Sequence, residues 1–393
     1  MRPMLASASF LLLLFILPFP GTVALRLLCL AISFGVAVAC WRKLNPPNFP
    51  GKAYVVSWIA LAALSLSYAV DPAYSLGEIK NEIGYTMMAL TAFYVYFDNK
   101  GKALLAAWAL VWSLAAISAW SLWFWASPDD WKDDPGFGGV GAYVGLVLMV
   151  VPAMLLIWQW QPRSRWLLYL IAFVALLAAA YSRQRIFWPA LGMELAVLVM
   201  LLRFQNGMAL STRRSAVFLA VIVGAGLIFM LATQSARFGM HGGKVEIGND
   251  PRLQHWPAVV TRIGEHPLVG VGFGRNAMKL GHPDFVPADT PLFWHAHNVF
   301  LNYGIAMGIP GIFALFALFA GLAASYWRMY RSEDQALTIL GIAGILLLTS
   351  VLLRNLSNDF FQRDVSLLFW SMNGLFLGVG RRLQSRYHPE EGS

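Results

Sequence analysis

At 393 residues the chain is long enough for two soluble domains, but 58% of it is hydrophobic and only 12% charged, which is not the composition of a soluble protein. Apolar runs of about 20 residues, the length that crosses a bilayer, recur along most of it and point to a polytopic helical membrane protein. The +9 net charge comes from basic residues scattered at helix ends rather than along one helix face, which argues against nucleic acid as a partner.

Taken in chain order, hydropathy places twelve spans, at about 6–20, 22–41, 53–70, 76–97, 103–126, 140–160, 165–181, 186–203, 215–234, 298–327, 335–353 and 364–380. The expected fold class is therefore all-α, with 1–393 forming a single integral membrane domain. Residues 235–297 are expected to be a larger periplasmic segment with short helices, inserted between the ninth and tenth spans. The opening MRPMLASASFLLLLFILPFPG has the look of a signal peptide, but helix parity works best if it is kept as the first span. Cys29 and Cys40 fall in one span and supply no disulfide framework. With the N-terminus inside, the loops on that side carry 16 basic residues, so the positive-inside rule places both termini in the cytoplasm.

The opposite side carries the polar chemistry. Eight arginines lie there (Arg183, Arg185, Arg237, Arg252, Arg262, Arg275, Arg354 and Arg363) against Lys132, Lys244 and Lys279. A guanidinium offers a planar fork that grips phosphate oxygens in pairs, whereas lysine acts as a point charge. The set suggests an anionic ligand, the plainer alternative for each arginine being a side chain that snorkels to lipid head groups. DPRLQHWPAVVTRIGEHP reads as an Asp-capped amphipathic helix that ends before Pro267 and lies over the bundle.

Several chemistries lack their residues. The GK pairs at 51–52 and 101–102 have neither the glycine spacing nor the Ser or Thr of a P-loop. Gly270-Val-Gly272-Phe-Gly274 has no βαβ unit around it and reads as a turn where backbones pack closely. Asp129, Asp130, Asp133 and Asp134 are carboxylates of the kind that hold a divalent cation, yet Lys132 sits among them and a solvated acidic loop is the simpler reading. His295 and His297 could share one ion on a loop, but no third ligand is evident, so neither a metal site nor any other cofactor is expected.

The remaining stretch, HAHNVFLNYGIAMGIPG from His295 to Gly311, leads from a polar loop into the tenth span, and six of the seven histidines lie between 241 and 297. Titratable groups gathered at a membrane boundary are functional candidates. His297, Asn298, nine residues, Gly308 and Gly311 together resemble the signature of bacterial O-antigen ligases, within the wider family that includes O-antigen polymerases and protein O-oligosaccharyltransferases. SRQRIFW (Arg185, Trp188), DPRLQHW…EHPLVGVGFG (Arg252, Trp256, His266 to Gly272) and RNLSNDFFQRDVSLLFWSMNG extend the likeness over roughly 180–380.

That resemblance implies transfer of a glycan from undecaprenyl diphosphate on the periplasmic face of the bacterial inner membrane. The donor would be undecaprenyl-diphosphate-linked O-antigen and the acceptor lipid A–core, both held among membrane lipids. Arg185 and Arg252 are the candidates for stabilising the departing diphosphate, with Arg183, Arg262, Arg275 and Arg363 as further phosphate contacts. His297 is the candidate general base, and Asn298 would orient the sugar or the imidazole. The residues themselves leave other readings open: Asn298 as a helix cap, His295 as the base, Gly304, Gly308 and Gly311 as close-packing positions. Asp359, Asp364, Asp289 and Glu265 are the candidate carboxylates to assist a histidine, and no nucleophile is apparent, which favours an inverting reaction. Polymerase and protein-glycosylating activities are the alternatives within the family. A lipid transporter or flippase is the alternative outside it, although charges at one face and no visible repeat are not its usual pattern.

Overall fold

The computed structural model describes residues 3–124, 139–182, 184, 186–205, 224, 251–285, 294–356, 359 and 363–387. Among them every regular element is a helix: α1 (Pro3–Ile16), α2 (Val23–Leu44), α3 (Lys52–Leu64), α4 (Pro72–Glu78), α5 (Tyr85–Tyr96), α6 (Lys100–Phe124), α7 (Gly139–Trp160), α8 (Arg165–Tyr181), α9 (Phe187–Arg203), α10 (Pro251–Glu265), α11 (Ala277–Gly281), α12 (Val299–Tyr330), α13 (Gln335–Asn355) and α14 (Arg363–Tyr387). Among the described residues six stretches are long and apolar enough to cross a membrane, namely those of α2, α6, α7, α8, α12 and α13. The chain is a multi-pass helical membrane protein. Eleven of the twelve expected spans coincide with helices, and the ninth, 215–234, lies outside the described residues apart from Gly224.

Local chemistry explains where the helices begin. Asp71 caps α4 by accepting from the amide of Tyr74 at 2.9 Å, with Pro72 in the first turn where its missing N–H costs nothing. Asp334 caps α13 through the amide of Leu337 at 2.9 Å. The expected fourth span is not one regular helix. The end of α4 passes through a π-helical turn, Ile79–Gly84, before α5 begins, and that turn carries the buried Glu82.

Polar contacts between buried helices set the register of the bundle. Arg382 on α14 donates to the carbonyls of Tyr94 and Val95 at the end of α5, each at 2.8 Å. The Tyr326 hydroxyl on α12 donates to Asn373 of α14 at 2.7 Å, and Ser350 on α13 donates to Glu194 of α9 at 2.7 Å. Trp58 on α3 stacks on Trp370 of α14 with centroids 5.9 Å apart. Around these contacts one continuous apolar core fills the space between helices. Van der Waals packing and interhelical hydrogen bonds hold a bundle whose surroundings are as apolar as its interior.

Candidate functional site

The site is built on a break in α12. Residue 310 is proline, so the carbonyl of Ala306 has no amide four residues on to receive. At Gly308 the backbone turns to φ 70, ψ −169, outside the helical region, which also separates the carbonyl of Ile305 from the amide of Ile309. Backbone groups freed inside a membrane protein must find other partners. The segment Pro267–Gly272 supplies all three. The amide of Val271 donates to Ile305 O at 3.0 Å, that of Gly272 donates to Ala306 O at 3.0 Å, and the amide of Ile309 donates to Pro267 O at 2.8 Å. A methyl group on Gly270 would sit 2.2 Å from the Ile305 carbonyl oxygen, so only glycine allows the two backbones to approach this closely.

The close backbone packing expected at Gly270–Gly274 is therefore present, and its partner is the tenth span. The expectation for Gly308, a small residue in a helix–helix contact, needs correcting. It faces the Pro267–Val269 backbone and bends its own helix.

Seating that segment in the break carries Arg275 into the cleft. Beyond it the amide of Phe273 donates to Ser65 Oγ at 3.1 Å and that of Asn276 donates to the Tyr74 hydroxyl at 2.8 Å, which fixes the turn on both sides. The Arg275 guanidinium lies 4.6 Å over the Trp294 ring, its Nη2 is 2.9 Å from His295 Nε2, and its Nε is 3.9 Å from Asp359 Oδ2. Asp359 in turn accepts a short hydrogen bond from the Asn302 side chain, whose own oxygen accepts the amide of Ala296 at 2.8 Å. Trp58, Glu78, Glu82, Tyr303 and Ser366 complete the cleft around Arg275.

His295 is buried, and its two ring nitrogens both face donors: Nε2 the Arg275 guanidinium, Nδ1 the amide of His297 at 3.0 Å. A neutral imidazole has one lone pair to offer and an imidazolium none. Burial, followed by the charge of Arg275, pushes the His295 pKa down to about 2. His255, behind it on α10, is also held below the usual histidine range, first by burial and then by His297. His297 itself is partly exposed, sits at φ 50, and packs its ring on His295 with centroids 3.9 Å apart. The Trp256 indole donates to Ala296 O at 2.9 Å and ties α10 to this loop.

The other expected residues divide. Arg252, at the start of α10, is near enough for its charge to act on His295 and Arg354. Arg363 opens α14 at φ 44, and its amide donates to Glu82 Oε2 at 2.7 Å. Arg262 is paired with Glu265 at 3.0 Å and Asp284 at 3.2 Å, neither of which lines the cleft. Asn298 caps α12 by accepting from the amides of Phe300 and Leu301 and donates to Leu356 O at 2.9 Å, so both ends of its amide hold the fold together. Arg183, Arg185, Asp289 and the Asp129–Asp134 cluster lie outside the described residues. Among the described residues no three His, Cys, Asp or Glu side chains are gathered to hold a metal ion.

Residues 138–316 match the O-antigen ligase family. Over this stretch the chain is similar to that family. The match runs from the start of α7 through the arginine and histidine loops to just beyond the break in α12, so it includes the cleft's Arg275, His295 and Asn302. No curated protein matches the chain. Glu78 and Glu82 precede the matched region and were not singled out by the sequence reading, although ionisable residues in an apolar span were signal enough.

Proposed function

We propose that the protein is an O-antigen ligase of the inner membrane, moving O-antigen from undecaprenyl diphosphate to lipid A–core on the periplasmic face. The observation that carries this reading is the contact of Arg275 with His295 beside His297, with Arg252 in electrostatic range, above the break in α12. In this reading the chain crosses the membrane twelve times with both termini in the cytoplasm, and residues 235–297 form the periplasmic segment.

The reaction needs no energy source beyond its donor. The acceptor hydroxyl oxygen attacks the anomeric carbon, the bond from that carbon to the diphosphate oxygen breaks, and its electron pair leaves with the diphosphate. A single displacement inverts the anomeric centre. Guanidinium groups fixed where negative charge develops stabilise the departing diphosphate without reorganising. Arg252 and Arg185 serve that role, and Arg183, Arg275 and Arg363 add phosphate contacts. Arg262, already paired with two carboxylates, contributes only by exchanging them for phosphate.

His297 takes the acceptor proton. Its neighbour is poorly suited, since a proton added to His295 would face Arg275 on one nitrogen and an amide on the other. His295 instead holds Arg275 and the His297 backbone in place. Asn298 begins the helix behind the base and so positions it. In this scheme no step requires a metal.

The test is a reconstituted transfer assay with labelled undecaprenyl-diphosphate glycan, lipid A–core and excess EDTA. Label reaching lipid A–core with the native protein and not with His297→Ala supports the ligase. Label that stays on undecaprenyl as longer chains makes the protein a polymerase, label on a protein acceptor makes it a protein glycosyltransferase, and no transfer by a folded preparation returns the transporter reading.

A further inference from the structure

A second cavity lies at the same end of the bundle as the arginine–histidine cleft. Its walls are apolar: Leu17 just after α1, Ile117 of α6, Leu146 and Met149 of α7, and Val365 and Leu368 of α14. An ion pair is built into it. The side chain of Arg26, in the first turn of α2, is only 7% exposed, and its guanidinium pairs with Asp364, which is 51% exposed. Arg26 Nε also donates to the Thr22 hydroxyl at 2.7 Å and its Nη2 to the Phe19 carbonyl. Two of these contacts fasten the guanidinium to the start of its own helix. The third is to a half-exposed carboxylate that can turn to water while the guanidinium stays where it is.

The first turns of α14 form a wall between the two cavities. Ser366 faces the cleft, and Arg363 donates to Glu82 there, while Asp364, Val365 and Leu368 line the second cavity.

We infer that the second cavity binds an acyl chain of a phosphate-bearing lipid, with the lipid phosphate taking the place of Asp364 on Arg26. The apolar walls suit an alkyl chain. A cation buried at their edge suits the head group of an anionic lipid and gives nothing to a neutral one. A guanidinium held from behind by Thr22 and Phe19 is already oriented to offer its remaining N–H groups to phosphate oxygens. The inference deepens the ligase reading and rests on it, since a transferase joining groups carried by two lipids needs a place for each. Sharing the α14 wall brings the head group of the second lipid beside the cleft. Two sources carry this chemistry, the acceptor lipid A and the phospholipid of the surrounding leaflet.

The test needs no transfer activity, so the ligase reading can fail without deciding it. Full-length protein in nanodiscs is photolabelled with phosphatidylglycerol carrying a diazirine on an acyl chain, and the labelled residues are mapped by mass spectrometry. Labelling is expected at Ile117, Leu146, Met149 and Leu368, to be blocked by Leu146→Trp, and to fall about tenfold in Arg26→Gln, the loss of roughly one charge-assisted contact. Asp364→Asn, which frees the guanidinium, is expected to raise labelling. Unlabelled lipid A displacing the probe better than phosphatidylglycerol identifies the acceptor as the occupant, and equal displacement identifies a resident phospholipid; either outcome upholds the site. Equal labelling by a phosphate-free diacylglycerol probe overturns the proposal. So does a parallel fall in Arg26→Gln and Asp364→Asn, which marks the ion pair as a brace between α2 and α14, and so does the absence of label in these residues.

Discussion

At the scale of single residues, His295 and His297 are two positions apart and have opposite environments. His295 is enclosed between Arg275 and the His297 amide, and its pKa, pushed down to about 2, keeps it neutral through any working pH. The linkage has a definite sign. The unfolded chain binds a proton at this position below about 6.5 and the folded protein does not, so the stabilisation is complete above that pH and declines as pH falls toward 2. Thermal unfolding midpoints are expected to drop between pH 7 and pH 5, and less steeply in His295→Asn than in the native protein. An unchanged slope in the variant would place the acid sensitivity elsewhere. Arg275→Lys keeps the charge but loses the planar stack on Trp294 and the fork that reaches His295 and Asp359 together. We expect it to cut transfer by at least about tenfold at a nearly unchanged unfolding temperature, which separate activity and melting measurements check. In sequence the two histidines are equivalent polar residues before an apolar run, and only their neighbours distinguish them.

At the scale of elements, the break in α12 and the Pro267–Gly272 segment are one construction. Gly270→Ala forces a methyl group against the Ile305 carbonyl and is expected to destabilise by about 1–3 kcal/mol, read as a lowered unfolding temperature. Pro310→Ala restores an amide four residues after Ala306 and lets the helix compete with the segment for that carbonyl. Faster hydrogen exchange at Val271 and Gly272 is the expected result, and unchanged exchange would show that the segment is held by other contacts. Asn298→Ala removes the cap of α12 and is expected to cost about 1 kcal/mol, with Asn298→Ser recovering most of it. If Ser recovers stability but not transfer, Asn298 touches the substrate as well. Gly270–Gly274 and the glycines of α12 were legible in the sequence as places of close packing. That they meet each other was not, because hydrogen bonds between segments about 35 residues apart leave no periodic trace in either.

At the scale of the whole molecule, orientation in the membrane rests on charge. Sixteen basic residues on one set of loops predict that both termini lie inside and the histidine end outside. In a background lacking Cys29 and Cys40, a cysteine at the exposed Leu268 is expected to react with an impermeant maleimide added to intact cells, and one at Ser332 only after lysis. The reverse pattern would put the cleft in the cytoplasm and remove the basis for a periplasmic transferase.

The class of molecule and the inventory of its chemistry can be read from the amino-acid order alone. Spans are read from runs of apolar residues, an expected topology from basic loops, and the arginine–histidine set from charges gathered at a membrane boundary. Those are local or compositional properties, and each residue carries its share of them independently. Which charges meet is a property of packing. The tertiary structure placed Arg275 against His295, paired Arg262 with Glu265 and Asp284 instead, and gave the Asn298 amide to helix capping. It also brought Glu82 from the fourth expected span into the cleft beside Arg363. A guanidinium looks the same in any sequence, and its role depends on the partners that folding brings within about 3–4 Å of it.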